Sequence, residues 1–131
     1  MSNLQTDSIL VVEDNHDTQI LLKYLLSSKY NIDTVTRVKE ALLKIEETPY
    51  ILLLVDINLG EERTGIDLLN ILRNNDLYAH LPMIAITAYA MPGDDDKFIK
   101  MGFDDYVSKP FSRTALFHAI DKVLNPEETS G

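Results

Sequence analysis

The stretch LLLVDINLGEERTG, residues 52–65, is the part of the chain on which the fold and the function both depend. It begins with four consecutive apolar residues, which is typical of a central strand covered on both faces of a sheet. The apolar run continues directly into Asp56, and a polar segment that contains Gly60 and Gly65 follows. A strand built for burial therefore ends in a carboxylate, and the other groups at that end of the strand decide what the carboxylate does.

Length and composition indicate a single globular domain. The chain has 131 residues, of which 45% are hydrophobic and 25% are charged. It has no cysteine, no signal-peptide pattern in MSNLQTDS (1–8), and no apolar run near the ~20 residues needed to cross a bilayer. These features favour a cytoplasmic protein without a membrane partner. The net charge of −9 argues against direct binding to nucleic acid. It reflects either solubility alone or carboxylates that converge on a cation.

Short apolar runs alternate along the chain with segments whose apolar residues recur at helical spacing. The runs that predict strands are 8–12, 30–36, 51–56, 82–87 and 104–108. Strands and helices in strict alternation predict an α/β fold, in which a parallel sheet carries helices on both faces. The second run alternates apolar and polar residues, which suits an edge strand. We expect one domain over residues 8–124, with tails at 1–7 and 125–131.

Polar or charged residues stand where the predicted strands end: Glu13, Asp14, Asp56, Thr87 and Lys109. Because parallel strands bring their carboxyl ends to one edge of the sheet, these side chains should meet there. Carboxylates that close repel one another, and Mg²⁺, which prefers carboxylate and carbonyl oxygens with water, would relieve the repulsion. The remaining hydroxyl and ammonium suit a tetrahedral oxyanion. The pattern therefore predicts a phosphoryl site with a metal, in which Asp56 is the candidate nucleophile.

Four motifs give the chain a family resemblance: VVEDN (11–15), LLLVDINL (52–59), AITAYA (85–90) and YVSKPF (106–111). Each motif is weak alone, but all four occur in order and at the spacing of one family. The chain resembles the response-regulator receiver domain of two-component signalling, over about residues 8–124. The resemblance implies a flavodoxin-like, doubly wound sheet of five parallel strands in the order 2-1-3-4-5, with five helices.

The resemblance also implies a chemistry for the strand ends. Asp56 would accept a phosphoryl group from the phosphohistidine of a sensor histidine kinase or a histidine phosphotransfer protein. Mg²⁺, with Mn²⁺ as an alternative, would be bound by Asp14 and Asp56, by Glu13 mostly through water, and by the backbone carbonyl of Asn58. The domain would not be an enzyme for a separate substrate, since it would catalyse only its own phosphotransfer and dephosphorylation.

Other residues match the parts of a receiver that respond to phosphorylation. Thr87 would bond the phosphoryl oxygens and Lys109 would pair with them. Tyr106 matches the switch aromatic, which would follow Thr87 when the phosphoryl group draws the threonine inward. The peptide bond between Lys109 and Pro110 would be cis, which proline permits at small cost.

Two positions in the family flank the path of the water that hydrolyses the acyl phosphate, and here they are Asn58 and Tyr89. Asn58 is small and polar, so it could orient a water molecule. Tyr89 is bulky, and its ring would block in-line approach from one side. Because the attacking water must lie in line at roughly 3–3.5 Å, we expect shielding by Tyr89 to dominate and the phosphorylated state to persist.

The loop after Asp56 departs from the family pattern. Many receivers place a proline soon after the acceptor aspartate, with the helix-opening glycine eight positions beyond the acceptor. In this chain Gly60 stands near the proline site, and Gly65 lies nine positions after Asp56. The loop is therefore expected to be one residue longer and more polar, with an undetermined effect on the partner-docking surface nearby.

Several alternatives remain beside a free-standing phosphorylation-controlled switch. The domain could belong to a hybrid kinase or larger regulator, or be a pseudo-receiver that only binds partners. A haloacid-dehalogenase type of phosphohydrolase needs an aspartate where this chain has Asn58, whose amide cannot act as acid and base. A flavodoxin-like FMN module needs a Ser/Thr/Gly-rich phosphate loop, whereas EDNHD (13–17) repels phosphate. The downstream protein target is not identified, and dimerisation remains open.

Overall fold

The computed structural model describes residues 7–60, 62–88 and 93–126, which form alternating strands and helices. The strands are β1 (Ser8–Val12), β2 (Asn31–Val35), β3 (Leu52–Asp56), β4 (Met83–Thr87) and β5 (Asp105–Ser108). The helices are α1 (His16–Leu26), α2 (Val38–Glu47), α3 (Gly65–Arg73), α4 (Asp94–Met101) and α5 (Arg113–Leu124). Each strand predicted from the sequence is confirmed to within one residue at each end. Within the described ranges no helix is long and apolar enough to cross a membrane.

The strands form one sheet in the order β2-β1-β3-β4-β5, and every neighbouring pair is parallel. This order confirms the predicted doubly wound fold, and β2 lies at an edge as its alternating pattern indicated. After β2 the chain returns across β1 to form β3, so the direction of winding reverses between β1 and β3. The carboxyl ends of these two strands are therefore the place where such folds bind ligands.

Two apolar layers cover the sheet, because successive side chains of a strand point to opposite faces. On one face, Leu10, Val12, Leu53 and Val55 pack against α2, α3 and α4. On the other face, the alternate strand residues pack against α1 and α5. The central strands β1, β3 and β4 are buried on both faces, which explains their continuous apolar runs.

Helix α3 begins directly against the end of β3. Its start carries a capping box, in which Thr64 Oγ1 accepts from the Asp67 N–H and Asp67 Oδ2 accepts from the Thr64 N–H. A β-carbon at Gly65 would lie 2.3 Å from the backbone oxygen of Asp56. Position 65 therefore requires glycine, because α3 starts in direct contact with the end of β3.

Candidate functional site

The strand register brings the predicted polar residues to one edge of the sheet. Val12 pairs with Val55, so Glu13 and Asp56 are the next residues on adjacent strands. Asp56 pairs with Ile86, and Thr87 pairs with Ser108, which places Lys109 beyond the end of β5 beside them. A crevice opens at this edge, and it is lined by Glu13, Asp14, Asn15, Asp56, Asn58, Ala88 and Lys109.

Three carboxylates converge in this crevice. Glu13, Asp14 and Asp56 each offer an oxygen, and these oxygens lie within 4.8 Å of one another. Glu13 is 0% exposed and Asp56 is 5% exposed, whereas Asp14 faces solvent. Two of the three charges are thus shielded from water, so their repulsion is strong unless cations balance it.

Each carboxylate accepts a hydrogen bond from a backbone N–H of a loop at the sheet edge. The bonds are Asn15 N to Glu13 Oε2 at 3.0 Å, Asn58 N to Asp56 Oδ1 at 2.8 Å, and Gly60 N to Asp14 Oδ2 at 2.8 Å. The first two are local, since donor and acceptor are two residues apart. The third joins the loop after β3 to the loop after β1, and the sequence pattern contained no sign of it.

Lys109 supplies a positive charge to the site. Its Nζ atom lies 2.8 Å from Glu13 Oε1 and 3.1 Å from Asp56 Oδ2. Its backbone N–H donates to the carbonyl of Thr87 at 2.7 Å, and its peptide bond to Pro110 is cis. Although burial disfavours the charge, the contacts with Glu13 and Asp56 outweigh it and raise the pKa of Lys109. The ammonium is therefore charged throughout the neutral range.

One ammonium does not balance three carboxylates, and Glu13 shows the consequence. Burial, and then the close approach of Asp56, raise the pKa of Glu13 to about 7, despite the opposing contacts with Lys109 and the Asn15 N–H. Glu13 Oε1 is buried and lacks a hydrogen bond of good geometry, even though the ammonium is near. A cluster of oxygens with excess negative charge and an unsatisfied buried oxygen fits a hard divalent cation.

Of the residues predicted to respond to phosphorylation, the structure describes Thr87 next to the crevice and Tyr106 on β5. Thr87, at the end of β4, is 2% exposed, and its neighbour Ala88 lines the crevice. Tyr106 on β5 is half-buried, and its ring packs on Phe98 of α4 with 5.6 Å between the ring centroids. Tyr89 lies outside the described residues, so its predicted shielding role stays a prediction.

Gln19 is a buried residue that the sequence interpretation did not single out. Its side-chain amide donates to the carbonyl oxygens of Glu13 and Val35, which ties α1 to the ends of β1 and β2. The signal available in the sequence was a glutamine in phase with Leu22 and Leu26 on the buried face of α1. By holding the backbone of Glu13, Gln19 helps to fix the acidic pair that follows β1.

Comparison with known proteins agrees with this geometry. The profile of the family described as the response regulator receiver domain matches residues 9–121. The chain belongs to this family. As a receiver domain it is a part of two-component signalling, and its acidic crevice is compatible with Mg²⁺ and a phosphoacceptor aspartate.

Two curated relatives show different settings for such a receiver. The chain is 34% identical over 118 residues to the polar-differentiation response regulator DivK of Brucella anthropi, covering 89% of this chain and 95% of DivK. It is also 34% identical over 128 residues to hybrid signal transduction histidine kinase I of Dictyostelium discoideum. That match covers 92% of this receiver but only 7% of the kinase.

A solved structure of similar architecture contains a metal. It is the receiver domain of the sensor histidine kinase PA1611 from Pseudomonas aeruginosa PAO1, with a magnesium ion coordinated in its active-site cleft. The two chains share 29% identity and a TM-score of 0.81, with 92% of this receiver and 98% of the other covered.

Proposed function

We propose that this receiver is a switch controlled by Mg²⁺-dependent phosphorylation of Asp56. The observation that carries the proposal is the position of Asp56, which is buried at the sheet edge between the other carboxylates and the ammonium of Lys109. The donor would be the phosphohistidine of a sensor histidine kinase or a histidine phosphotransfer protein. The receiver would promote only its own phosphotransfer and dephosphorylation.

In the proposed reaction a carboxylate oxygen of Asp56 attacks phosphorus in line. A P–O bond forms, the P–N bond to the imidazole breaks, and the electron pair stays on the departing nitrogen. The Asn58 N–H holds Oδ1 of Asp56, which fixes the carboxylate in one rotamer before attack. The ammonium of Lys109, already beside Oδ2, would pair with the phosphoryl oxygens. The product is an acyl phosphate, which water later hydrolyses.

The metal would be held by this chain's own oxygens. Asp14 and Asp56 would bind it directly, Glu13 mostly through water, and Asn58 through its backbone carbonyl. Mg²⁺ suits an all-oxygen set that keeps several waters, and Mn²⁺ accepts the same ligands. The magnesium ion in the PA1611 receiver supports this choice. Bound metal would neutralise charge on the phosphoryl oxygens during transfer.

Movements of Thr87 and Tyr106 would transmit the effect of phosphorylation from Asp56 to the surface of the domain. When the phosphoryl group draws the Thr87 side chain inward, the ring of Tyr106 can follow into the space vacated. That ring packs on Phe98, so its movement would alter the face formed by α4, β5 and α5. The change is a shift in population between two arrangements rather than a new fold.

A donor that reaches Asp56 must cover the mouth of the crevice, and α1 begins there, since its N-cap residue Asn15 lines the crevice. On the next two turns of α1, Ile20 is 55% exposed and Tyr24 is 78% exposed. We infer that this apolar face contacts the phosphohistidine protein.

The downstream target would be another protein in the cytoplasm, with no direct nucleic-acid contact and with dimerisation as an open alternative. The match to a hybrid kinase supports a second setting, in which the receiver is part of a larger regulator.

Incubation with acetyl phosphate and Mg²⁺, followed by intact mass measurement, tests the proposal. We expect wild type to gain one phosphoryl group and Asp56→Asn to gain none. The matched control is Asp76→Asn, an exposed residue before β4 at the opposite end of the sheet, which should be modified like wild type. Modification of Asp56→Asn, or its absence from the wild type, would contradict the assignment.

A further inference from the structure

The hydrogen bond from the Gly60 N–H to Asp14 Oδ2, 2.8 Å long, joins residues that are 46 positions apart in the chain. Through this bond the loop after β3 contacts the acidic pair after β1. Glu13 and Asp56 are buried and contact Lys109, which restricts their side chains. Asp14 is exposed, so its orientation depends far more on a single well-placed donor.

Close approach, rather than backbone conformation, explains the glycine at position 60. Positive φ angles occur at Gly93 and Gly102 among the described residues, and Gly60 does not share them. A β-carbon at position 60, however, would lie 2.7 Å from Asp14 Oδ2, which is closer than real β-carbons come to an oxygen. Any other residue at this position would push the Asp14 carboxylate away.

We propose that Gly60 is a positioning residue for the metal, and that it acts through Asp14. Its N–H donates to Oδ2 and so fixes the orientation of the Asp14 carboxylate, which offers one of three ligand oxygens that lie within 4.8 Å of one another. The inference rests on the proposed function, because it requires that Asp14 binds Mg²⁺. It would make the loop after β3 a part of the metal site at Gly60.

The expected loss of Mg²⁺ affinity can be gauged from other groups that hydrogen-bond to metal ligands. Removing a hydrogen-bond partner of a metal ligand typically lowers metal affinity by roughly 10–100-fold. In Gly60→Ala the new methyl group displaces the end of an exposed side chain rather than backbone, so the change should cost little folding free energy. We therefore expect Mg²⁺ affinity to fall about tenfold, while the urea unfolding midpoint in EDTA stays at the wild-type value.

Calorimetric titration of the whole chain with Mg²⁺ tests the inference in wild type, Gly60→Ala, Asp14→Ala and the double variant. If Gly60 acts through Asp14, Gly60→Ala weakens binding in wild type but changes nothing further once Asp14 is alanine. Unchanged affinity in Gly60→Ala, or an equal loss in both backgrounds, would overturn the inference and leave the metal site intact. Failure of wild type to bind Mg²⁺ would overturn the proposed function and the inference together.

A second measurement depends on neither affinity nor the folding of Gly60→Ala. In metal-free protein, the Gly60 amide proton should resonate downfield in a ¹⁵N–¹H correlation spectrum because it is hydrogen-bonded to a carboxylate. Asp14→Ala should move this resonance upfield, whereas Asp17→Ala, the matched change at an exposed aspartate of α1, should leave it in place. If the Gly60 resonance has the same position in Asp14→Ala as in wild type, the hydrogen bond between Gly60 and Asp14 is contradicted.

Discussion

The ammonium of Lys109 bridges Glu13 and Asp56, with Nζ 2.8 Å from Glu13 Oε1 and 3.1 Å from Asp56 Oδ2. Lys109 therefore already neutralises part of the site before any phosphoryl group arrives. Because it stands beside the proposed acceptor oxygen, it can pass to the phosphoryl oxygens with little movement. The same bridge makes the metal-free domain sensitive to changes in any of the three residues.

Lys109→Met should weaken both the fold and the chemistry. It keeps the length of the side chain but leaves two buried carboxylates without their cation, which should cost about 1–3 kcal/mol of unfolding free energy in EDTA at pH 8. The loss should be smaller at pH 6, because Glu13 can then take up a proton. Phosphorylation by acetyl phosphate should slow sharply. Lys122→Met is the control, because it removes an exposed ammonium that pairs with the half-buried Asp105 without leaving two carboxylates together, and it should cost less stability.

The raised pKa of Glu13, about 7, predicts a pH dependence of the metal-free protein. The folded state holds this proton more tightly than the unfolded chain, whose glutamate titrates near 4.5. The resulting stabilisation is complete below pH 4.5 and is lost as the pH rises through 7, about 3 kcal/mol in all. Between pH 5 and 8 in EDTA, wild type should therefore lose stability relative to Glu13→Gln. Parallel curves for the two proteins would show that Glu13 is ionised in the fold at all these pH values.

Mg²⁺ should raise the melting temperature, because a ligand that binds only the folded site stabilises it by mass action. At a concentration 100 times the dissociation constant the gain is about 2.7 kcal/mol. Asp14→Ala should remove most of this gain, and the control Asp17→Ala should retain it. An equal response to Mg²⁺ in wild type and Asp14→Ala, measured by scanning calorimetry, would place the cation elsewhere.

Tyr89 and Asn58 should affect the lifetime of the phosphorylated state in different ways. If the ring of Tyr89 excludes water from the acyl phosphate, Tyr89→Ala should speed its decay after the donor is removed. Asn58→Ala should slow the decay or leave it unchanged, because the group that could orient a water is lost. The readout is the fraction of phosphorylated protein over time. If phosphorylated Tyr89→Ala decays at the wild-type rate or more slowly, Tyr89 does not shield the acyl phosphate, and its role should be sought in partner binding.

The strands and their places in the sheet could be predicted from the sequence, because the pattern of apolar residues in a strand depends on whether its faces are buried. Apart from one polar residue at an end of each, β1, β3 and β4 are apolar because both faces are covered, whereas β2 is partly polar because it lies at the edge. Once the strands are parallel, the residues that end them must share one edge. The convergence of Glu13, Asp14, Asp56 and Lys109 could therefore be inferred before any coordinate was known.

The contacts that hold these side chains could not be inferred in the same way. The Gly60 N–H bonds to Asp14 across 46 positions of the chain, and no local pattern encodes that contact. Gln19 bonds to the ends of two strands from a helix position that only the packed fold brings near. Likewise, the contact between Tyr106 and Phe98 depends on how α4 lies against β5.

The central claim is that Asp56 receives the phosphoryl group, and the position of the acyl phosphate tests it most directly. After incubation with acetyl phosphate and Mg²⁺, borohydride reduction converts a phosphorylated aspartate to homoserine, which peptide mass spectrometry locates in the chain. We expect homoserine at position 56, in an amount equal to that of the phosphoryl group measured on the intact protein. Homoserine at position 14 or at any other aspartate, with Asp56 unmodified, would contradict it.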